Sequence, residues 1–208
     1  MIQQIGKHRV QCQDIMLGID KLMGNDIADF VYSDPPWGQG NLTYWQTINK
    51  RHTGKNPNEI NYEQFLPHFF KLVAKYSKDL IIIEYGIGWR NDLIRIAAQA
   101  GYKHGGVTVS YYKSGSKLLP LDMHIFSKSG KYHLTPEFID ICAKHNGQTL
   151  VHKVFELLCP KDAKIILDPM CGMGYTAQAA IDAGYAFRGN ELNEKRLSKT
   201  IARLQKKP

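Results

Sequence analysis

Apolar and polar positions along this chain follow two periods. Short apolar runs at residues 29–33, 80–84, 165–167 and 187–191 read as strands, and residues 8–13 as a shorter one. Between them, apolar residues recur at helical spacing, as at Phe65, Leu66, Phe69, Leu72 and Val73 within 62–77. Further helices are expected at 15–23, 89–100, 149–158, 175–183 and 193–205, the first closed by Gly24-Asn25 and the second by Gly101. Residues 105–112 and 121–127 have the composition of a hairpin joined across 113–117. This alternation predicts a single α/β domain: a mostly parallel sheet of Rossmann-like type, helices on both faces, and an antiparallel hairpin at one edge. Two stretches show no period. Residues 38–61 are polar, aromatic and glycine-containing, and are expected to form a long loop, mobile over a substrate at 39–61. Residues 128–147 read as a polar connection.

Composition narrows the class. At 208 residues the chain suits one full-sized domain with its own core. Its longest apolar run, 80–83, is far too short for a bilayer span, and the first residues lack the pattern of a signal peptide, so no membrane partner is expected. Cys12, Cys142, Cys159 and Cys171 form no close pair, which points to reduced thiols in a cytoplasmic protein, with no metal site and no disulfide framework. Lys and Arg number 27 against 19 Asp and Glu, a net charge of +8, which favours a polyanionic partner. The excess is concentrated at Lys50, Arg51, His52 and Lys55, and again from Lys195 to Lys207, where it includes the solvated face of a terminal helix.

Two motifs carry the candidate chemistry. Asp34-Pro35-Pro36-Trp37 ends the 29–33 strand. Consecutive prolines fix φ twice and carry no N–H, leaving their carbonyls free as acceptors. A carboxylate, an oriented carbonyl and a flat ring at a strand's carboxyl end suit an exocyclic amino group on a planar base: Asp34 and the Pro35 carbonyl accept its hydrogens while Trp37 stacks. Read alone, the same residues also serve as a rigid exit from a strand, with Trp37 covering the core. The second motif, Asp168-Pro169-Met170-Cys171-Gly172-Met173-Gly174, is a strand, a tight turn and a helix start. Its glycines let backbone N–H groups approach a ligand closely, and Glu191, ending the next strand, is placed to hold ribose hydroxyls. With Ala177 it also meets the looser dinucleotide pattern, and as plain structure it is a tight turn followed by a surface acid.

Together, over about residues 9–204, these motifs resemble the S-adenosyl-L-methionine-dependent amino-methyltransferases of the DNA N6-adenine/N4-cytosine class. In that class the DPPW/DPPY tetrapeptide is catalytic and a D-P-F-x-G-x-G-like turn holds the cofactor. The order found here, catalytic motif first, resembles the circularly permuted β-type arrangement. The resemblance implies that Asp34, Pro35, Pro36 and Trp37 are catalytic. It implies that Asp168, Pro169, Met170, Cys171, Gly172, Gly174 and Glu191 bind the cofactor, with Asp14 and Ile15 at its adenine. Asp14 also reads as a helix cap, and both roles can hold together. Gln148 and Thr149 stand where the family's cofactor-methionine segment lies, without its usual Lys-Pro.

The activity implied is methylation of adenine N6 in DNA, with the base rotated out of the duplex. Tyr44, Trp45, Lys50, Arg51 and Lys55, with Lys113 and Lys117 at the hairpin tip, are the expected nucleic-acid contacts. Adenine is preferred because the family's cytosine-N4 members usually begin the tetrapeptide with Ser, and Ser33 stands one place too early. The alternatives are N4-cytosine methylation, N6-adenine methylation of RNA, and a silent cofactor-binding subunit. No large target-recognition insert is present, which implies a short, loosely read site or recognition completed by a second subunit, most simply a homodimer.

Overall fold

The computed structural model describes residues 2–54 and 60–206. Along the chain come β1 (Ile2–Ile5), β2 (His8–Cys12), the short α1 (Asp20–Met23), β3 (Ala28–Ser33), α2 (Gly38–Thr53) and α3 (Tyr62–Tyr76). Then follow β4 (Ser77–Tyr85), α4 (Arg90–Gln99), β5 (Lys103–Ser114), β6 (Lys117–Ser127), α5 (Pro136–Lys144) and α6 (Gly147–Leu158). The chain continues through β7 (Ile165–Asp168), α7 (Tyr175–Asp182), β8 (Ala186–Glu191) and α8 (Glu194–Gln205). The strands make one eight-stranded sheet in the order β1-β2-β8-β7-β3-β4-β6-β5. Its middle five strands are parallel, with β1 antiparallel on one edge and the β5–β6 hairpin antiparallel on the other.

The apolar runs exist because both faces of this sheet are covered. Val31, Ile81, Ile83 and Leu167 point to one side, against Phe65, Phe69 and Phe70 of α3 and Leu93 of α4. Their neighbours Phe30, Tyr32, Leu80, Ile82 and Ile166 point to the other, against Phe138 of α5, Val154 and Phe155 of α6 and Ala177 of α7. From β3 the chain moves outward to β4, whereas β7, on the other side of β3, leads away to β8. The carboxyl ends of β3 and β7 therefore flank the crevice where connections diverge, the usual ligand position in such sheets.

Four local expectations are corrected. The stretch read as a loop is the helix α2 from Gly38 to Thr53; Lys55, expected in the same loop, lies outside the described residues. Its Gly, Thr and Asn content is unfavourable to helix, and its few apolar residues left too thin a stripe to recognise. Tertiary contacts hold it instead: the Arg196 guanidinium lies 4.4 Å from the Trp45 ring centre, and Asn193 Nδ2 reaches His52 Nδ1 at 3.1 Å. The helix expected at 15–23 is split at Gly18 (φ +83°), whose N–H closes a 3₁₀ turn on Ile15 O. Residues 128–147 contain α5, capped by Thr135 Oγ1 accepting from Phe138 N, with Pro136 opening its first turn. β1 was unrecognised because its Ile-Gln-Gln-Ile pattern is short and half exposed.

Candidate active site

A cavity of about 470 Å³ opens at the carboxyl ends of the parallel strands, within the size range of small-molecule sites. One end is a cradle built by β7, β8 and the turns after them. Asp168 closes β7, and its oxygens accept from Met170 N (3.1 Å), Ser33 Oγ (3.2 Å) and Thr176 Oγ1 (2.7 Å). Burial pushes its pKa up to about 7, against the pull of those three donors. Glu191 Oε2 accepts from Gly172 N (2.9 Å) and Oε1 from Asn193 N (2.8 Å). The carboxylate thus fixes the glycine turn while its remaining lone pairs face a cavity that it lines.

Gly172 adopts φ +49°, and a Cβ there would fall 2.8 Å from Arg196 Nη2. Pro169, Met170 and Cys171 line the cavity beside it. Gly174 was expected to let backbone approach a ligand, and the structure gives another reason for it. Its φ is +81°, and a Cβ would meet the Thr200 backbone at 2.9 Å, so it serves the close contact of α7 with α8 and lies off the cavity wall. Asp14 and Ile15 also line the cavity, just past the point where Cys12 pairs with Glu191. Asp14 Oδ1 caps the 3₁₀ turn through Met16 N (3.0 Å), so the side chain is a cap that also fronts the cavity. Gln148 lines it with Oε1 held by Arg203 Nη1 (2.8 Å), while Thr149 is exposed and outside it.

The other end holds Asp34. The side chain projects from the end of β3 into the cavity, with Pro36 beside it and Pro35 buried behind. β4 runs alongside with Ser33 in register with Ile83, so Glu84 emerges next to Asp34 and lines the same space. The Tyr32 hydroxyl donates to Glu84. Asp34 is itself exposed at the mouth of the cavity; partial desolvation by the surrounding walls and the neighbouring Glu84 charge, with more distant Asp168, raise its carboxyl pKa, Arg196 opposing, and solvent access softens the effect. Glu84 is raised by its own burial, with the Tyr32 hydrogen bond opposing.

Trp37 sits beside the cavity. Its ring covers Gly86, where a Cβ would lie 2.7 Å from Cγ, and leans on Tyr112 with ring centres 5.7 Å apart at 56°. Tyr112 itself lines the cavity. It stands on an arm: β4 pairs with β6 only as far as Tyr85↔Asp122, but β5 and β6 stay paired from Ser110↔Leu121 to Ser114↔Lys117. The hairpin thus overhangs the carboxyl ends of the sheet by roughly 15 Å. Lys113 on this arm borders the cavity, and Lys117 at its tip is exposed. Tyr44, Lys50 and Arg51 are exposed on α2, but Trp45 faces inward into the cavity wall.

Glu84, Tyr112, Arg196 and Asn49 also line the site and were not picked out as site residues from the sequence. For Glu84 a signal existed, an acid closing an apolar strand; Arg196 was hidden among the charges of a solvated helix.

No protein-family model matches the chain, and no curated protein matches it by sequence. Solved structures share its fold. The M1.HpyAVI–SAM complex superposes with a TM-score of 0.62 at 13% identity, covering 93% of this chain and 97% of that one. TTHA0409 from Thermus thermophilus, complexed with S-adenosyl-L-methionine, gives 0.63 at 14% identity, covering 95% and 93%. The cytosine-N4-specific PvuII DNA methyltransferase gives 0.60 at 13% identity, covering 93% and 85%. The chain therefore has the Rossmann-like α/β fold on which these proteins are built.

Proposed function

We propose that the protein transfers a methyl group from S-adenosyl-L-methionine to the exocyclic amino group of a base in DNA, with adenine N6 the preferred target. The observation that carries this reading is the shared cavity: a carboxylate with no hydrogen-bond partner among the described residues, Asp34, opposite a glycine turn braced by Glu191. The fold common to three solved structures, one named a DNA methyltransferase and two holding S-adenosyl-L-methionine, supports it. The residues suit the cofactor: Glu191 keeps lone pairs towards the cavity, Asp14 and Ile15 border it, and helix α2 roofs it.

When bound, the cofactor supplies an electrophilic methyl group, so the protein's task is alignment. Asp34 accepts one hydrogen of the target amine and the Pro35 carbonyl the other, which favours a pyramidal nitrogen with its lone pair turned to the methyl donor. The ammonium-like nitrogen formed on transfer then gives up a proton to Asp34. Asp34 must be ionised for this, and partial desolvation with the neighbouring Glu84 charge, which raise its pKa, make it a better proton acceptor than an isolated carboxylate. Tyr112, with Trp37 leaning on it from outside the cavity, borders the space proposed for the base, and Lys113 and Lys117 on the overhanging arm meet phosphates. These contacts position without specifying, so a short recognition sequence, or a second copy of the chain, completes selection. The catalytic motif preceding the cofactor motif fits the permuted β-type order.

A second reading, cytosine N4, rests on the shared fold with a cytosine-N4-specific enzyme; the Asp that opens the tetrapeptide favours adenine. Mass spectrometry of nucleosides from cells expressing the protein decides between them. N6-methyladenine in DNA is expected. N4-methylcytosine would move the reading to the second target, modified RNA would change the substrate, and no modified base would remove the activity.

A further inference from the structure

Helix α2 presents one stripe to the segment that follows Glu191. Trp45, Asn49 and His52 stand at i, i+4 and i+7, on one face. The outer two are fixed, Trp45 beneath the Arg196 guanidinium at 4.4 Å and His52 to Asn193 at 3.1 Å. Asn49 lies between them, a turn from each, is only 5% exposed and lines the cavity. Among the described residues its Oδ1 has no hydrogen-bond partner. A buried side-chain carbonyl without a partner costs roughly 1–3 kcal/mol, so such a group in a ligand cavity needs a reason. Asn190, which also lines the cavity with an unpaired Oδ1, has one: its Nδ2 ties Gln13 O (3.1 Å) to Pro169 O (3.2 Å) and braces the walls. Asn49 has no comparable brace among the described residues.

We infer that Asn49 reads the adenine of the bound nucleoside cofactor, and that α2 thereby serves as a cofactor-binding element. The inference rests on the cofactor reading above. An amide offers a donor and an acceptor side by side, matching the amine and the adjacent ring nitrogen of adenine. Position selects the cofactor over the target base, because the stripe packs on Asn193 and Arg196, just beyond the Glu191 carboxylate, whereas the target amine belongs at Asp34. Because α2 starts at the residue after Trp37, adenine binding would also steady the catalytic tetrapeptide.

Calorimetry with S-adenosylhomocysteine, and with its analogue whose purine lacks the 6-amino group, tests this on the wild type and Asn49→Ala. The wild type should prefer the amino form by about tenfold. Asn49→Ala should bind S-adenosylhomocysteine about tenfold more weakly and no longer discriminate. Without ligand its melting temperature should match or exceed wild type, since Oδ1 has no bond to lose among the described residues. Unchanged affinity in the variant overturns the inference and leaves the proposed activity standing. Equal weakening for both ligands, or a large drop in unliganded melting temperature, makes Asn49 a structural brace and also overturns it. Failure of the wild type to bind S-adenosylhomocysteine at all removes the cofactor reading itself.

Discussion

The two ends of the cavity use carboxylates in opposite ways. At the cradle, Asp168 and Glu191 give their oxygens to the protein itself: three donors for Asp168, two backbone N–H groups for Glu191. At the target end, Asp34 projects without a hydrogen-bond partner among the described residues, with Glu84 held only by Tyr32. Carboxylates already engaged hold a shape, and one left open beside a second negative group is available to a substrate. On the proposed function, the difference separates residues that build the site from those that act in it.

The largest effect should come from the open acid. Asp34→Ala is expected to lower methyl transfer by about 10³-fold or more while S-adenosylmethionine affinity stays within a few fold. Equal losses in calorimetry and in a transfer assay would erase the distinction between the two ends. Glu191→Ala should show the reverse: cofactor affinity down by at least about tenfold, with turnover partly recovered at saturating cofactor. An unchanged apparent cofactor constant would leave Glu191 as a brace alone.

Smaller effects sharpen the comparison through pH. The Glu84 charge helps to raise Asp34, so Glu84→Gln should move the acid limb of the pH–rate profile to lower pH, with the rate at neutrality changed by only about a few fold. A limb that stays in place would uncouple the two acids. For Asp168 the folded pKa, about 7, exceeds the ordinary Asp value. The folded state therefore binds more protons than the unfolded chain between about pH 4 and 7, and stability falls as pH rises through that window. Asp168→Asn should flatten this part of the curve of melting temperature against pH. A slope identical to wild type would place the titrating group elsewhere.

How much of this was legible follows from which residues answer to local rules. The strands at 29–33, 80–84, 165–167 and 187–191 were readable because burial on both faces makes them continuously apolar. Asp34, Gly172 and Glu191 stood out because turn chemistry after a strand leaves few residue choices. Helix α2 was not readable: its contacts, Arg196 on Trp45 and Asn193 on His52, join segments more than a hundred residues apart, and no local period records them. Gly174 was noticed for a ligand and is needed for Thr200. The overhang of the hairpin depends on where β4 stops relative to β6, which composition alone does not set.

The pairing of β2 with β8 has a consequence for how the molecule assembles. Cys12 stands in register with Glu191, and Phe187 N bonds His8 Nδ1 across 179 residues of chain. Arg188 and Arg9 both close on Asp26 at the same junction. Contacts of such high sequence separation form late and slow the search for the native topology, because a long loop must close before they reward it. β3 and β4, which lead into Asp34 and carry Glu84, leave the ribosome long before β7 and β8, with which β3 and β2 pair. During synthesis the Asp34 segment is therefore available for pairing first, and the Glu191 cradle closes only as the last strand docks.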